Sequence, residues 1–485
     1  MNKLLLFIVL IFIHPMRGSS TSQGTYPQAV EIVLRKAGKN RIELEKAITW
    51  CKKTGDPLKV KAVFFLIANM DAHYSADYYW ADKNNDPIAF DEVSYPDFTS
   101  ALKAFDAIKT KNPGIHPISV IKPDIYSVKG GFLINNINES FRAWKLSWAK
   151  NISFNDFCEY ILPYRVCNEP LQDWRSIYSN KFAWITTKAK TGTPEQTLSY
   201  VYTDERNWFK DTWGMPNRNE PLPRLGAMQL LLRKSGKCED IADLEVFTLR
   251  SQGIPATLNI IPYWATASDS HFVNTAFDGK MQPIQFDVSR TPAINNKLSR
   301  EPSKVIRVTF AKQPGTVASI EPIKNIPDGF MRTVNYVDIT EQYWKTTTVH
   351  CPLFPTPMQP KTAYICVFNG LKWCPTWWGT ITNGIANFSA MSKGVVYLPI
   401  YYNNGKISPA GYPVAEGYQH NVVLDPDTIH RQPLLVENQD RYLLLQPGKT
   451  YKLMYWKPLD DLGGNLGLAE NWDQKHPKQN CRSKR

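Results

Sequence analysis

Three residues whose types together support nucleophilic catalysis lie within residues 235–287. Cys238 is at the start of a predicted helix, His271 heads one short β-like run, and Asp287 ends another. A cysteine is a strong nucleophile as a thiolate, and a neighbouring histidine generates the thiolate by accepting the thiol proton. A carboxylate then fixes the tautomer and orientation of that histidine. We therefore interpret Cys238 as nucleophile, His271 as general base and acid, and Asp287 as the orienting group.

The helix that begins at Cys238 is predicted to run to about Gln252. Acidic residues in its first turn favour a helix start, and Gly253 is predicted to be a left-handed cap. The backbone N–H groups and the positive end of the helix dipole stabilise an anion at that start. The N–H of Cys238 is also placed to bind the oxyanion of a tetrahedral intermediate.

After Gly253 the pattern changes from helix to strand. Short β-branched and aromatic runs are separated by turn residues, and Asp278-Gly279 is typical of a hairpin turn. Because Asp278 is also close in sequence to His271, it remains an alternative to Asp287 as the orienting carboxylate. The predicted strands are Thr257–Ile261, Phe272–Phe277 and Ile284–Val288.

This stretch resembles the transglutaminase-like superfamily, whose core fold is shared with papain-like cysteine proteases. Gly236-Lys-Cys238-Glu-Asp240-Ile-Ala242, the helix through Leu249-Arg250, Gly253-Ile-Pro255-Ala256, His271 and Asp287 carry the resemblance. The spacings match as well, with 33 residues from Cys238 to His271 and 16 from His271 to Asp287. The resemblance implies acyl transfer through a thioester at Cys238, either to water, as in a protease or amidase, or to an amine, as in a cross-linking transferase.

Many relatives carry tryptophan or another aromatic directly after the histidine and a polar oxyanion donor before the cysteine. Here Phe272 follows His271, and the donor stays open among three residues: Gln229, Trp208 and Trp213. The resemblance implies no metal or organic cofactor, although some transglutaminases use calcium. No EF-hand-like loop and no zinc-type Cys-x-x-Cys spacing occurs in the sequence.

The first 20 residues are typical of a cleaved secretory signal. Lys3 precedes the apolar run LLLFIVLIFI, small residues follow it, and the run is too short to span a bilayer. No cysteine follows for a lipoprotein anchor, so we expect a secreted or periplasmic protein without an integral membrane segment in the mature chain. Eight cysteines permit disulfides there, in pairings that the sequence leaves open. The net charge of +13 comes without a nucleic-acid motif, so no nucleic-acid partner is expected.

The order of helical and strand patterns predicts an α+β protein. The divisions are a signal peptide at 1–20, a helical N-terminal region at 22–180, a papain-like transglutaminase core at 181–345, a β-sandwich at 350–460 and a basic tail at 462–485. The segments FCEYILPYRVCNEPLQDWR and VVYLPIYY look like those of secreted transglutaminase-domain proteins of the Bacteroides type.

The leading functional hypothesis is a secreted enzyme acting on peptide or protein substrates, possibly glycosylated ones. Two alternatives remain. One is an inactive transglutaminase-like protein that binds peptide or glycan, with the sandwich as recognition module. The other is an amidase that releases glycans, since peptide N-glycanases resemble the same core. The oligomeric state is left open.

Overall fold

The computed structural model describes residues 26–212, 224–287, 293–295, 297–356, 360–370, 372–425, 429, 450–456 and 466–473. The predicted signal peptide and Trp213 lie outside the described residues. The helices are α1 Gln28–Lys36, α2 Arg41–Lys53, α3 Pro57–Asn69, α4 Phe98–Lys111, α5 Asp124–Ser127, α6 Gly130–Trp144, α7 Phe154–Tyr160, α8 Arg175–Lys181, α9 Ile185–Thr191, α10 Pro194–Trp208, α11 Ala227–Arg233 and α12 Cys238–Ser251.

The strands come mainly from the second half of the chain. They are β1 Tyr74–Ala81, β2 Pro87–Ile88, β3 His116–Pro123, β4 Lys210–Asp211, β5 Ser235–Gly236, β6 Ala256–Ile261, β7 His271–Phe277, β8 Pro283–Asp287, β9 Ala293–Ile294, β10 Ile306–Val308, β11 Tyr336–Asp338, β12 Thr346–Pro352, β13 Thr362–Asn369, β14 Lys372–Thr382, β15 Ile385–Ser392, β16 Val395–Asn403, β17 Lys406–Pro409, β18 Val414–Glu416, β19 Asn421–Val423, β20 Thr450–Trp456 and β21 Leu466–Asp473. With 39% helix and 27% strand, the predicted α+β class is confirmed.

The N-terminal helices pack around one apolar core, which joins α1, α2, α3, α6 and α7. The first two of these helices, α1 and α2, are separate because Gly38 adopts a left-handed φ of +54° between them. A three-stranded sheet of order β2-β1-β3 also lies here. The prediction of a helical region at 22–180 missed these three strands.

The central sheet is antiparallel, with strand order β11-β10-β6-β7-β8-β9. Helix α12 packs against it and is enclosed so completely that every residue from Asp240 to Ser251 is buried. Gly253 ends this helix with φ +72°, which confirms the predicted left-handed cap. A β-carbon at Gly253 would lie 2.3 Å from the Ala143 carbonyl oxygen, so close packing also requires glycine. The helix and sheet therefore form a rigid frame for the residues at their edges.

The C-terminal strands form one curled antiparallel sheet, a half-barrel, of order β12-β15-β14-β13-β16-β18-β19 with β17 beside β16. The all-β character is as predicted, but one curled sheet takes the place of the two sheets of a sandwich. Bulges between Thr347 and Val349 and between Ile365 and Cys366 supply the bending, since a bulge increases local twist. After the curled sheet in the chain, β20 pairs with β21, so the predicted basic tail contains a strand.

Lys304 joins the central sheet to the curled sheet. Its side chain is fully buried, and its ammonium donates to Asp338 at 2.5 Å and to the Ser389 and Ala390 carbonyls at 2.8 Å each. The ammonium also lies 4.3 Å from the centroid of the Trp377 ring. A buried charge with these partners fixes the two sheets against each other.

None of the helices in the described part of the chain has the length and apolar composition needed to cross a membrane.

Candidate active site

Cys238 is the first residue of α12, and a short strand pair delivers the chain to it. Strand β5, directly before the helix, runs parallel to β4, and the Thr212 N–H donates to the Gly236 carbonyl at 2.8 Å. Asp240 caps the helix, because its Oδ2 accepts from the Lys237 N–H at 2.9 Å. A β-carbon at Gly236 would lie 2.5 Å from the Asp240 β-carbon, so only glycine fits this approach. Cys238 itself is half-buried.

Two buried groups of charged residues surround the first half of α12. Arg224 donates to both carboxylate oxygens of Asp243, at 2.8 and 2.6 Å, and its guanidinium lies 5.0 Å from the Phe272 ring centroid. On another side Glu245 packs against Glu205 of α10. Burial raises the pKa of Glu205 to about 7 and that of Glu245 well above its usual value. Glu245 is therefore the protonated member and donates a hydrogen bond to Glu205.

His271 and Asp287 meet across the edge of the central sheet. Strands β7 and β8 pair Asn274 with Phe286, so extending the register by one residue puts Val273 opposite Asp287. His271, two residues from Val273, then lies on the same face and diagonal to Asp287, a separation that long side chains span. The His271 Nε2 and Asp287 Oδ2 atoms are 2.7 Å apart.

Asp278, the alternative orienting carboxylate, has a different role. Its Oδ1 accepts from the Lys280 and Gln282 backbone N–H groups, at 2.8 Å each, and so closes the β7–β8 turn. The distinction between the two aspartates follows from the strand register, because Asp287 is at the His271 end of the pair and Asp278 is at the turn.

His271 lies between the Cys238 thiol and the Asp287 carboxylate. Burial is the largest influence on its pKa and lowers it, but hydrogen bonds and charge interactions with Asp287 and Cys238 raise the pKa from 6.5 to about 9. With Nε2 assigned to the carboxylate, Nδ1 is the ring nitrogen left for the thiol. The three predicted residues are thus brought together, with the imidazole between sulfur and carboxylate.

The face of His271 is covered by an aromatic ring that the sequence analysis did not single out. Trp264 stacks on the imidazole, with ring centroids 5.7 Å apart and an interplanar angle of 28°. It lies in the loop between β6 and β7, seven residues before His271. The sequence shows a tryptophan a few residues before the histidine, but the orientation of its ring depends on contacts with residues far away in the chain.

The three candidate oxyanion donors are not equally placed. Gln229 is engaged elsewhere, since its Nε2 donates to Glu92 at 2.6 Å and its Oε1 accepts from the Gly226 N–H at 2.7 Å. The Trp208 indole donates to Asp204 at 3.2 Å. Trp213 lies outside the described residues. The N–H of Cys238, at the open end of α12, remains a donor of the type the chemistry needs.

The other cysteines differ from Cys238 in their surroundings. The seven cysteines within the described residues are all free thiols. Burial raises the pKa of the other six, namely Cys51, Cys158, Cys167, Cys351, Cys366 and Cys374. Within the same residues, no group of three or more His, Cys, Asp or Glu side chains is arranged to hold a metal ion.

Comparison with known protein families identifies a domain in the central part of the chain. Residues 181–287 match the family described as the Transglutaminase-like superfamily, and this span contains Cys238, His271 and Asp287. The resemblance seen in the sequence is therefore confirmed for this domain, with its papain-like fold. The likeness to secreted proteins of the Bacteroides type stays a prediction.

Two further comparisons add little. No curated protein matches the chain. Among solved structures it is similar to "a Putative Cysteine Protease from Cytophaga hutchinsonii", with 20% identity and a TM-score of 0.19. That similarity covers 25% of this chain and 38% of the other, so the chain spans well under half of that structure's length.

Proposed function

Because residues 181–287 form a transglutaminase-like superfamily domain, we propose that this protein is an exported cysteine-dependent acyl-transfer enzyme. Its substrates are peptide or protein amides, and the acyl group passes through a thioester at Cys238. His271 serves as general base and acid, and Asp287 orients its ring. The observation that carries the proposal is the 2.7 Å contact between His271 and Asp287 on an imidazole that also interacts with the Cys238 thiol.

The first half of the reaction cleaves the amide. The Cys238 thiolate attacks the carbonyl carbon, and the C=O electrons move to oxygen, where the Cys238 N–H at the start of α12 stabilises the charge. The His271 imidazolium then donates its proton to the amine nitrogen, the C–N bond breaks and the amine leaves. The carbonyl re-forms as a thioester. A pKa of about 9 keeps His271 protonated near neutral pH, ready for that donation.

The second half transfers the acyl group to an acceptor. Neutral His271 takes a proton from water or from an amine as that acceptor attacks the thioester, and sulfur leaves as the thiolate. Water gives a protease or amidase, and an amine gives a transferase. Asp287 stabilises the imidazolium at both stages. Both acceptors use the same three residues, so the acceptor is decided by experiment.

The first test is alkylation of Cys238 by iodoacetamide between pH 5 and 9, with each labelled site identified by peptide mass spectrometry. We expect rapid labelling of Cys238 well below pH 8 and loss of that activation in His271→Ala. Labelling of the Cys238→Ala variant measures the background that comes from the buried thiols and from Cys481. If Cys238 labels only as fast as an ordinary thiol in the wild type, the enzyme proposal fails and a peptide- or glycan-binding protein becomes the better reading.

A second test identifies the reaction. The protein is incubated with a casein digest, a fluorescent primary amine and a glycopeptide, and acyl-enzyme on Cys238 is sought by mass spectrometry after acid quench. New peptide termini indicate hydrolysis, amine incorporation indicates a transferase, and release of intact glycan indicates an N-glycanase-type amidase. Persistence of any of these products in Cys238→Ala would exclude Cys238 as the nucleophile.

Export is tested separately from chemistry. When the full chain is expressed in a bacterium, we expect the mature protein outside the cytoplasm and its N-terminus close to residue 21, after the small residues that follow the apolar run. Retention in the cytoplasm with Met1 intact would contradict the export proposal and leave the catalytic one standing.

A further inference from the structure

The loop that carries Trp264 is held by a side chain from the curled C-terminal sheet. We name residues 262–270, between β6 and β7, the Trp264 loop. Three of its carbonyl oxygens converge on one atom, the Nδ2 of Asn369, at 2.9 Å from Trp264, 2.8 Å from Ala267 and 3.0 Å from Asp269. Three acceptors around one atom require a donor there, which fixes the orientation of the Asn369 amide.

Asn369 is well placed to act as a fixed anchor. It is the last residue of β13, it pairs with Lys372 at the start of β14, and Gly370 with φ +56° begins the turn between them. Only 7% of its surface is exposed. A buried amide at the end of a strand has little freedom, so the carbonyls that it binds are held in place.

A second anchor comes from the central part of the chain. The Ala265 N–H donates to the Glu301 carbonyl at 2.9 Å, and the Thr266 hydroxyl donates to the Glu301 carboxylate at 2.8 Å. The Trp264 N–H donates to the Asp269 carbonyl at 3.0 Å. The backbone of Trp264 is therefore bound at its N–H within the loop and at its carbonyl by Asn369, which sets the direction of its ring.

We propose that Asn369 is a positioning residue for the thiol–imidazole site, acting through Trp264, so that the curled sheet is part of the catalytic apparatus. This inference rests on the proposed function. The indole covers one face of His271 and keeps water from it. Attraction between the imidazolium, the Asp287 carboxylate and the Cys238 thiolate is stronger where water is excluded. Releasing the loop admits water, weakens the ion pair and moves thiolate formation to higher pH.

The test compares wild type with Asn369→Asp and Asn369→Ala in the full chain. Asn369→Asp keeps the side-chain shape but sets a carboxylate oxygen against three carbonyl oxygens, and Asn369→Ala removes the donor without adding repulsion. We expect the pH midpoint of Cys238 labelling by iodoacetamide to rise by about one unit, which is a roughly tenfold lower rate at pH 6. Asn387→Ala is the matched control, since Asn387 lies on β15 of the same sheet and contacts His350.

Two further measurements separate positioning from a general loss of folding. Hydrogen exchange should become faster at residues 262–270 in both Asn369 variants, and the rest of the central sheet should keep its protection. Trp264→Ala should reproduce the shift in labelling pH, and the double variant with Asn369→Ala should shift no further, because both changes act on one ring. Trp264→Phe, which retains a ring, should recover most of the wild-type profile.

The outcomes distinguish the two proposals. A wild-type Cys238 that labels like an ordinary thiol overturns both. An activated wild-type Cys238 whose labelling profile is unchanged by the Asn369 variants overturns only the positioning role. Unchanged exchange in the Trp264 loop, or additive effects of the Asn369 and Trp264 variants, also overturns that role, whatever the catalytic result.

Discussion

Replacing Asp287 with asparagine removes one negative charge beside His271 and leaves the shape of the side chain almost unchanged. The pKa of His271 is about 9 against an ordinary 6.5, although burial by itself lowers it. The difference corresponds to about 3 kcal/mol in favour of the imidazolium, at about 1.4 kcal/mol per unit. In the variant burial still lowers the His271 pKa and Cys238 still raises it, so we expect that pKa to fall clearly below the wild-type value of about 9.

The charge on the ring can be followed with two alkylating reagents of similar size. Both reagents react with the thiolate, and the imidazolium attracts only the anionic one, iodoacetate, so the ratio of their rates at Cys238 reports the protonation of His271. In the wild type this ratio should fall near pH 9, and in Asp287→Asn it should fall at a clearly lower pH. Asp278→Asn is the control, because that carboxylate only closes a turn. If the ratio falls at the same pH in wild type and Asp287→Asn, the reasoning is refuted.

The same change affects stability in a defined pH range. The folded pKa of His271 lies above its unfolded value, so its contribution to the free energy of unfolding is complete below pH 6.5 and is lost as the pH rises through about 9. By urea unfolding, Asp287→Asn should therefore be less stable by at most about 3 kcal/mol below pH 6.5, with the difference shrinking towards pH 9. The figure is an upper value because Cys238 supplies part of the shift.

Three other substitutions test how α12 is held. Gly236→Ala places a methyl group 2.5 Å from the Asp240 β-carbon and should lower the free energy of unfolding by about 1–3 kcal/mol; unchanged urea stability would contradict this close contact. Glu245→Gln should become more stable relative to wild type as the pH rises from 4.5 to 8, since burial raises the pKa of both Glu205 and Glu245 and charging them opposes folding. Thermal melting at several pH values measures this difference, and a difference that does not change with pH would contradict the prediction. Arg224→Ala leaves a buried carboxylate of α12 unpaired and should cost about 3–5 kcal/mol by urea unfolding, whereas a near-neutral effect would mean that water replaces the guanidinium.

Features set by local chemistry could be predicted from the sequence. Thr193 is a preferred capping residue followed by proline, and it caps α10 by accepting from the Gln196 N–H at 3.2 Å, with Pro194 as the first helical residue. The start of α12 at Cys238 and its end before Gly253 also follow from residues within one turn of each boundary. Caps and turns depend on neighbours in sequence, so the local sequence alone carries their signal.

Features set by distant contacts could not be predicted. Strands β14 and β15 have no clear alternation of apolar and polar residues that would identify them from the sequence alone. Strands β1 and β3 become recognisable only through their pairing with each other. For the candidate site, the residue types and the resemblance to the transglutaminase-like superfamily predicted that Cys238, His271 and Asp287 lie near one another. It gave no sign of Asn369, which contacts the Trp264 loop across more than 100 residues of chain.

The buried ammonium of Lys304 has a consequence for how this chain can be divided or recombined. Both carbonyl partners belong to β15, so a fragment that ends before residue 350 keeps the Asp338 carboxylate but loses both carbonyl acceptors and the Trp377 ring. In such a fragment water takes the place of the lost acceptors, which loosens the surface that the curled sheet covers. Exchange of the C-terminal part between related chains would succeed when the incoming sheet presents two carbonyl oxygens and an aromatic face at that point. The central sheet and the curled sheet are therefore expected to be exchanged together, because both supply partners to the Lys304 side chain.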